Sequence, residues 1–84
     1  MKQVLYFGAE WCGPCQQIKP QMQQLAGTIP IKFIDVDRDK SAVETYGIRN
    51  VPTVIMIDQS GIAIGRLSGA GSITPAAVTN MYNK

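Results

Sequence analysis

The 84 residues suffice for one domain built around one core, and residues 1–84 are read as a single domain. With 45% apolar and 17% charged residues and no biased tract, the chain is neither disordered nor fibrous. A net charge of +2, with basic residues scattered from Lys2 to Lys84, argues against an electrostatic partner: no nucleic acid and no membrane surface are expected.

The first apolar run, Val4 to Ala9, is shorter than a signal-peptide core, and no run approaches the length of a membrane span. The expectation is a cytoplasmic monomer. Val4-Leu5-Tyr6-Phe7 is nearly continuously apolar and stops at Gly8, the pattern of a strand covered on both faces. Then comes AEWCGPCQ, Ala9 to Gln16, with two cysteines in one helical turn. Ile18, Met22 and Leu25 follow at helical spacing among glutamines, predicting an amphipathic helix that ends near Gly27 and is kinked at Pro20.

Ile31 to Val36 is the second strand, leaving through Asp35, Asp37 and Asp39. Ser41 and Glu44 have capping-box spacing for a short helix that Gly47 terminates. Pro52 opens the most apolar run, Thr53 to Ile57. Asp58 to Gly61 is a turn, and Ile62 to Leu67 returns as a hairpin. Thr74 is an N-cap with Pro75 in the first helical position, and Val78, Met81 and Tyr82 give the last helix its apolar face. The order predicts an α/β protein: a mixed four-stranded sheet with three helices on its faces.

Cys12 and Cys15 carry the chemistry. A bridge between them closes almost no loop and adds little as a staple, and a reducing compartment disfavours permanent disulfides. Cys12 sits where a strand has ended and a helix begins, and the free N–H groups of a first helical turn favour a thiolate. That lowers the expected pKa of Cys12, while Cys15, one turn deeper, is shielded and keeps a higher one. An exposed, acidic thiol beside a shielded one is what disulfide exchange requires: the first attacks a substrate disulfide, and the second releases the product. Gly13 lets another chain approach the sulfur, and Pro14 fixes the turn. Two other readings stand beside this one. A zinc site or cluster needs four ligands, which two cysteines and no histidine supply only in a dimer or with carboxylates. Two inert core thiols also fit, because free cysteine packs as a small hydrophobe.

FGAEWCGPCQQIKP, residues Phe7 to Pro20, resembles the active-site segment of the thioredoxins. YGIRNVPTVIMI, Tyr46 to Ile57, is similar to that family's segment leading into a cis-proline strand, and Gly69 in LSGAG falls at its groove glycine. The resemblance covers nearly the whole chain and is to short members, of glutaredoxin size, that lack the extra N-terminal strand and helix. It implies a thioredoxin fold and a thiol-disulfide oxidoreductase that reduces protein disulfides, a cell redox electron carrier. Cys12 would be the attacking nucleophile and Cys15 the resolving thiol. Trp11, Gly13, Pro14, Val51, Pro52 and Gly69 would form the substrate groove, with Pro52 cis and the Val51 backbone pairing with an extended client. A thioredoxin reductase or other thiol reductant would recycle the pair. No phosphate-binding glycine loop follows a strand, so no nucleotide cofactor is expected, and no metal. The alternative is a redox-inactive or cluster-binding scaffold.

The chain departs from the family behind the cysteines. Tyr6 stands where most thioredoxins bury an aspartate, Phe33 where they carry a neighbouring lysine, and Gln16 where a lysine often follows the second cysteine. Tyr6 and Phe33 are expected to fill the core. Without histidine there is no imidazole base, so Cys15 is expected to lose its proton to water or to the departing thiolate, with little help from Glu10.

Overall fold

The computed structural model describes residues 1–84. Its elements are β1 (Gln3–Gly8), α1 (Gly13–Leu25), β2 (Ile31–Asp35), α2 (Lys40–Tyr46), β3 (Thr53–Ile57), β4 (Ala63–Ser68), a 3₁₀ turn (Ala70–Ser72) and α3 (Pro75–Asn83). The strands lie in the order β2-β1-β3-β4, with β1 parallel to β2 and the other pairs antiparallel. This is the mixed four-stranded sheet with three α-helices that the sequence predicts.

The apolar run of β1 is buried on both faces because both faces carry helices. Val4 and Tyr6 meet Ile18 and Met22 of α1 and Val78 of α3 on one side. Leu5 and Phe7 point to the other, against Ala42 and Tyr46 of α2. Phe7 and Met22 are fully buried, each contributing about 1.5–3 kcal/mol by removal from water. β4 is an edge strand, and Ile64 within it and Ile62 just before it are exposed.

The helix ends follow the local chemistry with one difference. The Thr74 side chain caps α3 by accepting from the Ala77 N–H, as expected. Gly47 ends α2 in the left-handed region, at φ 62°, where a Cβ is disfavoured. The α2 cap, however, is Asp39 and not Ser41: the Asp39 carboxylate accepts from the Ala42 N–H at 3.0 Å. The N–H groups of Arg38 and Asp39 both reach the Asp35 carbonyl, and this turn makes Lys40 the first helical residue. α1 ends near Gly27, as the sequence predicts. The helix runs through Pro20 to Leu25 and closes on Ala26 in a right-handed conformation.

Candidate active site

β1 delivers the chain to the end of the sheet at Gly8, and four residues later Cys12 becomes the N-cap of α1. Its extended backbone (φ −91°, ψ 106°) turns its sulfur back over the helix mouth. There Sγ accepts from the Cys15 N–H at 3.2 Å. The two cysteines form a disulfide with their Cα atoms 5.2 Å apart. The expectation of an exposed first thiol is corrected: Cys12 is 6% exposed and Cys15 1%. In the oxidised pair Cys12 packs with Ala9 against Val36 and Val51, so only a narrow approach remains.

The front of the pair is made of loops. The Val51–Pro52 peptide is cis, as the resemblance implies. The Val51 carbonyl oxygen lies 3.8 Å from Cys12 Sγ. Gly69, at φ 87°, donates its N–H to the Pro52 carbonyl at 3.0 Å, and a Cβ built there meets nothing within 4 Å. Gly13 also opens onto free space. Trp11 is not core: it is 70% exposed, and its indole Nε1–H donates to Asp37 Oδ2 at 2.8 Å. A hollow of about 220 Å³ lies between Trp11 and Val51, floored by Val36 and Ile48 and flanked by Lys40 and Arg49.

The rear is made of side chains from the sheet. Tyr6 is buried, as expected, and meets Phe33 edge to face with ring centroids 5.7 Å apart. Its hydroxyl also donates to the Cys15 carbonyl at 2.9 Å. Burial pushes its pKa up to about 12, because desolvation penalises the phenolate. A phenol so held is a donor to the helix backbone and not a base for the thiol. Gln16 Nε2–H donates to the Ala9 carbonyl at 2.8 Å and ties α1 to the loop that precedes it. Gly8 leaves room for Cys15: a Cβ there would stand 3.4 Å from Cys15 Cβ and 3.6 Å from its sulfur. Behind Cys15 a cleft of about 260 Å³ runs between β1, β2 and α1.

The structure brings Val51 beside the Cys12–Cys15 disulfide, bonds Gly69 to Pro52, and sets Trp11 and Val51 on one hollow, while Gly13 and Pro14 lie in the chain between the two cysteines. Sequence reasoning missed Asp37, the hydrogen bond of Tyr6 and the link made by Gln16. Asp37 is 26 residues from Trp11, and nothing local in the sequence joins them.

The thioredoxin family model matches residues 1–79. The chain belongs to the thioredoxin family. It is 35% identical over 81 residues to the thioredoxin of Chlamydia pneumoniae, an alignment covering 93% of this chain and 76% of that protein. Among solved structures it resembles the reduced thioredoxin pre-protein of Schistosoma mansoni, with a TM-score of 0.84 at 32% identity over 98% of this chain and 76% of that one. The thioredoxin of Fasciola hepatica superposes with the same TM-score, at 29% identity, over 98% of this chain and 78% of that one. Together with the Cys12–Cys15 pair, membership of the thioredoxins makes the protein a thiol-disulfide oxidoreductase that reduces protein disulfides. Thioredoxins in general act on disulfides and are restored by reductase partners. No helix here is long and apolar enough to cross a membrane.

Proposed function

We propose that Cys12 is the nucleophile and Cys15 the resolving thiol of a cytoplasmic, monomeric electron carrier acting on client proteins. The observation that carries the division of labour is the Cys15 N–H aimed at Cys12 Sγ at the mouth of α1. In the dithiol, that donor and the other free amides of the first turn stabilise negative charge on Cys12 and not on Cys15. Cys12 attacks the client disulfide and forms a mixed disulfide while the first client sulfur leaves. Cys15 then attacks Cys12 Sγ, and the second client thiol departs.

The outer groove suits an extended client. The Val51 carbonyl beside the sulfur offers an acceptor to a client N–H, as in strand addition. Trp11, Gly13, Pro14 and Pro52 form the walls, and the open space at Gly69 leaves the far side clear. Electrons come from a thioredoxin reductase or another thiol reductant, with no cofactor or metal of the chain's own.

Insulin reduction recycled by dithiothreitol tests this reading. Cys12→Ser brings the rate to the dithiothreitol background. Cys15→Ser accumulates a mixed disulfide through Cys12, visible as added mass that a reductant removes. Full turnover by Cys12→Ser would reject the assignment and favour a docking scaffold.

A further inference from the structure

Resolution requires Cys15, 1% exposed, to lose a proton from inside the molecule. The Tyr6 hydroxyl does not take it, because its own proton is committed to the Cys15 carbonyl. The cleft behind Cys15 is the way out, and at about 260 Å³ it has room for several waters.

Its ionisable wall consists of Tyr6 on β1, Glu10 in the following loop, Lys19 on α1, Asp35 on β2 and Arg38 beyond it. Two of these are carboxylates, and their settings differ. The Glu10 side chain is 80% exposed and reaches out to Arg38 at 3.5 Å. The Asp35 side chain is 27% exposed. It is fixed in place by the Asp37 N–H, at 2.9 Å from Oδ1, and by Arg38 Nε, at 3.8 Å from Oδ2. In the parallel β1–β2 ladder Gly8 is the register partner of Asp35, as Tyr6 is of Phe33. Asp35 therefore rises on the sheet face that carries Tyr6 and α1. The residue beside it has no side chain, and the space where that side chain would stand is in contact with Cys15. The Asp35 carboxylate and Cys15 thus line one and the same cleft.

We propose that Asp35, through cleft water, accepts the proton of Cys15 in the resolving step; this rests on the roles assigned above to the two cysteines. The Cys15 proton passes by water to the Asp35 carboxylate. The sulfur attacks Cys12 Sγ, the Cys12–Cys15 bond forms and the Cys12–client bond breaks. The client sulfur leaves with the electron pair and takes a proton from solvent, to which Asp35 returns its own. The dithiol is oxidised and the client reduced.

Stopped-flow reaction of the reduced 84-residue chain with dithiobis(nitrobenzoic acid) separates the steps. Attack by Cys12 gives a first release of chromophore that scales with reagent concentration. Resolution by Cys15 gives a second that does not. When a carboxylate takes the proton, the second phase is flat in pH between the carboxyl and thiol ionisations, whereas a thiol that must ionise unaided slows about tenfold per pH unit below its pKa. The wild type is expected to show the plateau. Asp35→Asn, isosteric and still able to accept from the Asp37 N–H, is expected to show the slope, lagging about tenfold one pH unit below the thiol pKa and rejoining wild type above it. Asp35→Glu is expected to restore the plateau.

A sloping wild-type profile overturns the proposal whether or not the variants fold. So does an Asp35→Asn profile parallel to wild type at every pH, the mark of a structural effect. Loss of the first phase, in contrast, strikes the assignment of Cys12 and leaves that of Asp35 to the second.

Discussion

On its open side the Cys12–Cys15 disulfide faces backbone; on its inner side it faces side chains. In front lie the Val51 carbonyl, 3.8 Å from Cys12 Sγ, the Gly69 N–H bonded to the Pro52 carbonyl, and Gly13, which opens onto free space. Behind lie the Tyr6 phenol, the Phe33 ring and a carboxylate across from Gly8. A surface that must pair with many extended clients is best built from peptide groups, which every client also carries. On the proposed reading the rear does not meet a client. It must hold Cys15 in place and release one proton, and several sets of side chains do that. The two halves therefore differ in how a substitution acts: in front it changes turnover and spares stability, and behind it changes stability first.

The largest effect is expected at Gly8. Gly8→Val puts three carbons where a single Cβ already stands 3.4 Å from both Cys15 Cβ and the Tyr6 ring. Overpacking of this kind costs about 1–3 kcal/mol, and each kcal/mol lowers the melting temperature of a domain this small by roughly 4–8 °C. Calorimetry of the oxidised protein measures it. An unchanged melting temperature would mean that the rear is looser than its geometry indicates.

Tyr6→Phe is the next. It keeps the ring against Phe33 and removes only the donor to the Cys15 carbonyl, for a loss of about 1 kcal/mol. The same pair of proteins tests the buried phenol. With the folded pKa raised to about 12 from 10.0, the native state holds the proton more tightly than the unfolded chain does. This contribution is fully present below pH 10 and is lost as pH rises towards 12, at a slope of at most about 1.4 kcal/mol per pH unit. Every other ionisable group is common to both proteins, so the difference between wild type and Tyr6→Phe isolates the contribution of Tyr6. Denaturant unfolding between pH 9 and 12, at intervals of roughly one unit, is expected to show the wild type losing its advantage over the variant.

How much was legible in the sequence follows the same division. β1, β3 and α1 are visible because their apolar residues match the strand and helix periods, and both faces of β1 are covered as its continuous run requires. The outer half of the site is carried by two contiguous segments, Trp11 to Cys15 and Val51 to Pro52, whose roles are local. The inner half depends on register. That Gly8 stands beside Asp35, or Tyr6 beside Phe33, is set by how β1 and β2 pair, and no local pattern encodes that offset. The α2 cap failed for a related reason. Asp39 and Ser41 are both good capping residues, and the choice between them falls to the turn on the Asp35 carbonyl, made before the helix begins.

Trp11 gives the smallest expected change in stability. Its side chain is largely in water, and its single polar contact, Nε1–H to Asp37 Oδ2, is itself exposed. Trp11→Phe removes that donor and leaves an aromatic face beside the hollow that Val51 closes. An exposed substitution of this kind falls within about 0.5 kcal/mol of neutral. Its effect belongs to the client: kcat/KM for insulin is expected to fall, while the second-order rate with a small aromatic disulfide, which does not reach across the groove, stays near wild type. A comparable fall with both substrates would place Trp11 in control of the sulfur and not of the groove, and would move it from the front of the molecule to the rear. The indole is thus the one side chain on the outer surface by which the division between backbone in front and side chains behind is most directly broken.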